Sequence, residues 1–388
     1  MKRLLKVSLD LFLLSFISIF SWFCLSLLID KNLINIFTLI YPIQFIWYML
    51  KSIFSIGANI NKEKDKNNDA VMSGIILGII FAFLISLFLL LNIDSYINFM
   101  NMSVSLYKNF AIYSIIQGFI QLIFLFIIEK LYYEEKNILA NKYSIIFNLI
   151  NFTTLIGMAI FIKNQILIII LTLTSISLFT IYVCVKHFEK FHFNVKLGKW
   201  IKYDSVELFN NFIFFLIFLF GLSNVIEYGS AYTLALTFVS LITDCQWDTF
   251  TAIAEVANID ISKRRFEYKE HIKNAYRLLF WLVISIFIMF VTLYNFYDLN
   301  LRLVLIYFSF EILNFILYPL YTIKTCYLKL EYSSMKITFN KVFANLLRFS
   351  FSMLSTPFCT GLGQIFSSLY QFISTSIIFR VKNRHNKC

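Results

Sequence analysis

Five polar side chains in one otherwise apolar stretch carry the chemistry this chain offers: Asp244, Gln246, Trp247, Asp248 and Glu255. On a helix, Asp244 and Asp248 stand i,i+4 and Glu255 lies seven residues beyond Asp248, so the three acids share one face. Asp244 falls about 15 Å from the end of its apolar stretch at the helical rise per residue. An ionised side chain that deep costs roughly 3 kcal/mol, so it must meet a cavity or a partner. A carboxylate pair beside the face of Trp247 suits a cation or a cationic organic molecule. The alternative is a polar network that only holds helices together. Glu255 reads as a solvated helix end.

Three further residues join this set. Glu311 lies near the middle of a later apolar stretch, as a protonatable site or as a packing partner of Asn314. Lys51 serves as a counter-ion for Asp248, or its long stem carries the ammonium to the membrane surface. Arg348 reads as reaching the headgroups. Gln117 and Gln121, spaced i,i+4, read as glue between helices.

The elements that position these residues are membrane spans. Hydrophobic residues make up 59% of the chain and charged residues 14%, against roughly 25% charged in soluble domains. Twelve apolar stretches reach span length, near residues 8–29, 33–56, 70–92, 106–128, 143–162, 165–185, 205–223, 229–253, 278–296, 301–323, 337–356 and 361–380. Pro42 and Pro319 predict bends in the second and tenth. Basic and base-poor linkers alternate between spans, which predicts a multi-pass protein of a bacterial-type plasma membrane with both termini cytoplasmic. The net charge of +12 resides in those linkers, so membrane lipids rather than nucleic acid are the expected partner. The six cysteines and four histidines lack metal-like spacing. No Gly-Lys-Ser/Thr phosphate loop occurs, and no catalytic residue, metal or cofactor is expected.

An internal repeat orders the spans. Ala58-Asn59-Ile60-Asn61 matches Ala257-Asn258-Ile259-Asp260 at an offset of about 199, and the segment Phe147–Phe152 matches Ala344–Phe349 at about 197. Two six-helix halves follow, related by an axis along the membrane normal: an N-terminal lobe over 1–190, a cytoplasmic connector over 191–204 and a C-terminal lobe over 205–388.

Span 2 running into Ser55-Ile56-Gly57-Ala58-Asn59-Ile60, a short charged linker and Asp69-Ala70 resembles the segment after the second helix in multidrug and toxic compound extrusion (MATE) transporters and their oligosaccharide-flippase relatives. The resemblance implies an all-α fold of twelve transmembrane helices in a 6+6 arrangement around a central cleft lined by helices 1, 2, 7 and 8. It also implies efflux driven by Na⁺ or H⁺ entry. The chain departs from the family in helix 1, where Ser15, Ser18 and Ser21 stand in place of a central acid, with Asp10 and Asp30 at its ends. In span 7, Asp204 and Glu207 sit only at the entry, while Glu311 occupies a place where the family often carries an acid.

The expected function is therefore ion-coupled export of a small cationic amphiphile by a monomeric carrier, with Asp244, Asp248, Trp247, Glu311 and Lys51 as site residues. A flippase for a lipid-linked oligosaccharide is the alternative, and an integral-membrane transferase follows behind it.

Overall fold

The computed structural model describes residues 2–67, 69–162, 164–190, 192–262, 267–331 and 334–385. Among the described residues every regular element is helical. In chain order they are α1 (Lys2–Leu28), α2 (Ile36–Lys51), α3 (Ala58–Asp65), α4 (Ala70–Leu91), α5 (Ile93–Phe99), α6 (Val104–Tyr133), α7 (Asn137–Phe161), α8 (Gln165–His187), α9 (Leu197–Glu227), α10 (Ser230–Ser262), α11 (Tyr268–Tyr294), α12 (Leu301–Glu331), α13 (Ser334–Ser352) and α14 (Cys359–His385). Each of the twelve predicted spans falls on one of the long helices. Eight described segments are long and apolar enough to cross a membrane. The polar residues of α10, including Asp244, Gln246 and Asp248, keep it out of that set.

Helix ends differ from the sequence estimates where polar flanks stay helical. Helix α7 begins at Asn137 and α11 at Tyr268, several residues ahead of their apolar stretches. Helix α2 runs unbroken through Pro42. The irregularity comes later, as a π-helical turn over Ser52–Gly57, a distortion that frequently marks functional sites.

By backbone contacts the chain divides into two compact units. In the first, Phe20–Leu219, the π turn is packed backbone to backbone. A Cβ on Gly57 would stand 2.5 Å from the Trp200 carbonyl oxygen, and one on Gly74 would collide with the Phe54 carbonyl. Trp200 is fully buried, edge-on to Phe54 at 6.5 Å. The chain leading into α9 and the first turn of that helix are held just as firmly. The His192 N–H donates to Asp69 (3.1 Å), the Asn194 N–H to Ser73 Oγ (3.0 Å), and Lys199 pairs with Asp65 at 2.9 Å. Helix α9 then departs from helical geometry at Asp204 (φ −123°, ψ 23°).

Lys130 is a correction to the linker reading. It is 2% exposed, inside the end of α6, and its ammonium meets Glu189 at 2.6 Å, Glu134 at 3.5 Å and the His187 carbonyl at 3.0 Å. The helix persists to Tyr133, so this lysine turns onto the packed face instead of reaching water.

The second unit comprises Met1–Ile19 and Phe220–Cys388. The Asn224 amide donates to the Ser352 carbonyl (2.9 Å), and the Tyr228 and Tyr307 hydroxyls donate to Ser355 (2.6 Å) and Pro357 (2.8 Å). These bonds satisfy carbonyls in the irregular segment between α13 and α14, which would otherwise be costly in an apolar setting.

Candidate functional site

Four helices of the second unit bring polar side chains to one place: Trp247 from α10, Glu311 from α12, Arg348 from α13 and Gln364 from α14. Small residues permit the approach. A Cβ on Gly363 would lie 2.9 Å from the Arg348 carbonyl oxygen, and one on Gly361 would run into the Phe310 ring. Helix α14 therefore lies close against α12 and α13, and Gln364, the residue after Gly363, falls between Glu311 and Arg348.

The Trp247 Nε1–H donates to Glu311 Oε2 at 2.7 Å, and Gln364 Nε2 donates to the same oxygen at 3.3 Å. The other end of that amide accepts from Arg348 Nη2 at 3.3 Å; this places the amide nitrogen toward the carboxylate, an orientation assigned by the bonding pattern. The Arg348 charge also acts on Glu311 directly. A half-buried carboxylate deep in a span is thus met by two N–H donors and a guanidinium beyond them. These are the compensations such a group requires.

Aromatic packing fixes the tryptophan. Its indole stacks on Phe315 with centroids 4.3 Å apart and meets Tyr318 edge-on at 5.4 Å. Phe250 packs edge-on to Phe315 at 5.5 Å, and both phenylalanines are fully buried. One face of Trp247 is therefore committed to Phe315 and its N–H to Glu311, so the indole acts first as a support for the carboxylate.

The remaining expected residues are placed as follows. Asp244 is half-buried on α10, three residues before Trp247. The side chains of Asp248 and Glu255 lie outside the described residues. Gln246 is fully buried and donates to Ser285 Oγ of α11 at 3.1 Å, which makes it a helix-packing contact. Lys51 belongs to the first unit, where it pairs with Glu129 of α6 at 2.5 Å. Asn314 donates to the Phe310 carbonyl of its own helix at 2.9 Å, and Glu311 accepts from Trp247 and Gln364 instead.

Sequence reasoning missed Gln364 and sent Arg348 to the headgroups. Arg348 turns inward because Gln364 offers it an acceptor and Glu311 a countercharge. The repeat carried a signal for this. Arg348 stands at the position that matches Asn151 at the offset of 197, and Asn151 Oδ1 accepts from the Tyr113 hydroxyl at 2.9 Å, so that position also engages a neighbouring helix in the first unit. Among the described residues, no three His, Cys, Asp or Glu side chains gather as a metal site.

No protein-family model and no curated protein matches the sequence. Solved structures do match in fold over nearly the whole chain. An inward-facing multidrug resistance MATE family transporter of the MOP superfamily is 13% identical, with 98% of each chain covered and a TM-score of 0.71. An outward-facing one is 15% identical over 100% of this chain and 96% of the other, with a TM-score of 0.67. A MOP superfamily transporter from Pyrococcus furiosus is 15% identical over 98% and 96%, with a TM-score of 0.68; its binding pocket is described as reversed in polarity, suggesting a different function. The all-α fold of this chain is a MATE-like membrane fold.

Proposed function

We propose that the chain is a secondary active transporter that exports a small solute by ion-coupled alternating access, with Glu311 as the coupling carboxyl. The supporting observation is a half-buried carboxylate deep in α12, held by Trp247 and Gln364 with Arg348 beyond. A group so placed exchanges charge with its surroundings by taking up or losing one cation, and the helices that carry it register that exchange through their hydrogen bonds. The proton is the favoured coupling ion. Hard cations such as Na⁺ seek several oxygen ligands, whereas Glu311 Oε2 is already occupied by two N–H donors. The chain lacks a phosphate loop, so an ion gradient supplies the energy. It works as a monomer in the plasma membrane with both termini cytoplasmic, a carrier and not an enzyme.

A cationic amphiphile is the first substrate class, because Asp244 and Glu311 bring acid to the second unit near Trp247. Arg348 favours a second reading, a lipid-linked anionic oligosaccharide, since a guanidinium turned inward offers a partner for phosphate. Transport in proteoliposomes, with proton and Na⁺ gradients imposed separately, tests the proposal. Export of an organic cation driven by an inward proton gradient alone is the expected result. Solute movement indifferent to both gradients would end the coupled reading.

A further inference from the structure

The N-terminal part of α11 presents a groove that plays no part in the site around Glu311. It encloses about 540 Å³ and is lined by Lys273, Tyr276, Arg277, Phe280 and Trp281. Lys273 and Arg277 stand i,i+4, and Phe280 and Trp281 follow on the same helical face. The two aromatic side chains are 62% and 59% exposed, which in a membrane helix means they face lipid. Their rings pack edge to face at 5.7 Å, so they form one block. The third ring is anchored: the Tyr276 hydroxyl donates to the Ile316 carbonyl of α12 at 3.0 Å.

The charge balance of this groove is one-sided. No carboxylate among the described residues pairs with Lys273 or Arg277. One turn earlier, Lys269 and Glu270, both exposed, flank this face on either side, so the cations that line the groove itself are Lys273 and Arg277. Beyond Trp281 the helix is apolar to Tyr294. The groove thus lies where a membrane helix passes from charged to hydrocarbon surroundings, the depth of phospholipid headgroups. Two cations stand above it, and flat aromatic surface lines it toward the bilayer interior. An anionic headgroup continued by acyl chains matches that order, whereas a free anion would leave the aromatic portion unused.

We propose that this groove is a binding site for an anionic phospholipid, with the phosphate held by Lys273 and Arg277 and the glycerol and upper acyl chains lying against Phe280 and Trp281. The site depends on neither Glu311 nor any particular solute. A bound lipid would tie the charged entry of α11 to its neighbour α12 through Tyr276.

The test is native mass spectrometry of the full chain in detergent, titrated separately with phosphatidylglycerol and phosphatidylcholine. Wild type is expected to retain phosphatidylglycerol preferentially. The double variant Lys273→Gln/Arg277→Gln should bind it roughly thirtyfold more weakly, on the scale of two basic contacts to an anionic lipid. Lys186→Gln, which removes an exposed lysine of α8, should leave affinity unchanged. Equal retention of the two lipids, unaltered binding by the double variant, or an equal loss in Lys186→Gln would overturn the proposal. So would inorganic phosphate that displaces the lipid at comparable concentration, since that would make the groove a simple anion site. If the double variant does not run as a monodisperse species, Arg277→Gln alone is read, with a roughly fivefold weakening expected.

Discussion

Two polar junctions at matching places in the repeat are built from different chemistry. In the first unit, Tyr113 of α6 donates to Asn151 of α7, and Trp22 packs edge-on to the tyrosine at 6.1 Å. In the second unit, Arg348 stands at the position that matches Asn151 at the offset of 197, with Glu311 of α12 nearby. The neutral pair becomes a carboxylate and a guanidinium with Gln364 between them. Trp47 packs against Gly118 of α6, and Trp247, about 200 residues on, donates to Glu311. The scaffold accommodates either pair, each joined by side-chain hydrogen bonds within its own unit. Only the second can change charge. On the proposed function, ion coupling would belong to the unit that contains α10 to α14, and the first junction would keep a packing role.

The strongest way to break this contrast is to neutralise the acids. Glu311→Gln, Asp244→Asn and Asp248→Asn are each expected to reduce gradient-driven export in proteoliposomes to background while leaving expression intact. Wild-type rates in any one would remove that residue from the mechanism. Arg348→Gln should lower transport roughly tenfold, the size of a typical coupling between sites. A matching loss in Asn151→Leu would erase the distinction between the junctions. Lys51→Met strands Glu129, and for a partly buried pair the cost should be about 2 kcal/mol. It would be read as a lower thermal midpoint in detergent and rescued by adding Glu129→Leu. Tyr113→Phe should cost only about 1 kcal/mol and leave transport untouched.

The smallest effect is one of pH. Burial raises the Glu134 carboxyl, but the hydrogen bond from Lys136 and the charges of Lys130 and Lys136 outweigh it, so its pKa lies below the usual value. Its contribution to stability is present above the unfolded value and fades as pH falls through the folded one. Glu134→Gln should flatten the acid limb of the thermal midpoint against pH.

The span pattern was legible in the sequence because a bilayer demands long apolar helices. Glu311 and Trp247 stood out for the same reason: polar groups deep in a span are costly. Their direct bond was not legible, since nothing in sequence spacing brings α10 onto α12. Arg348 misled for a physical reason, as a long basic side chain a few residues inside a span ordinarily snorkels. Its inward turn depends on Gly361 and Gly363, which bring Gln364 within reach. Lys130 misled in a similar way, because its acidic partner Glu189 lies on a distant stretch of chain.

The stretch that enters α9, together with the helix's first turn, has a mechanical consequence. Stitched to Asp69, Ser73 and Asp65, with Trp200 wedged beside Gly57, it is a rivet and not a slack tether. A swing of the remainder of α9 would therefore pivot at Asp204, and shortening the preceding stretch by a residue should jam the fold instead of tightening a leash.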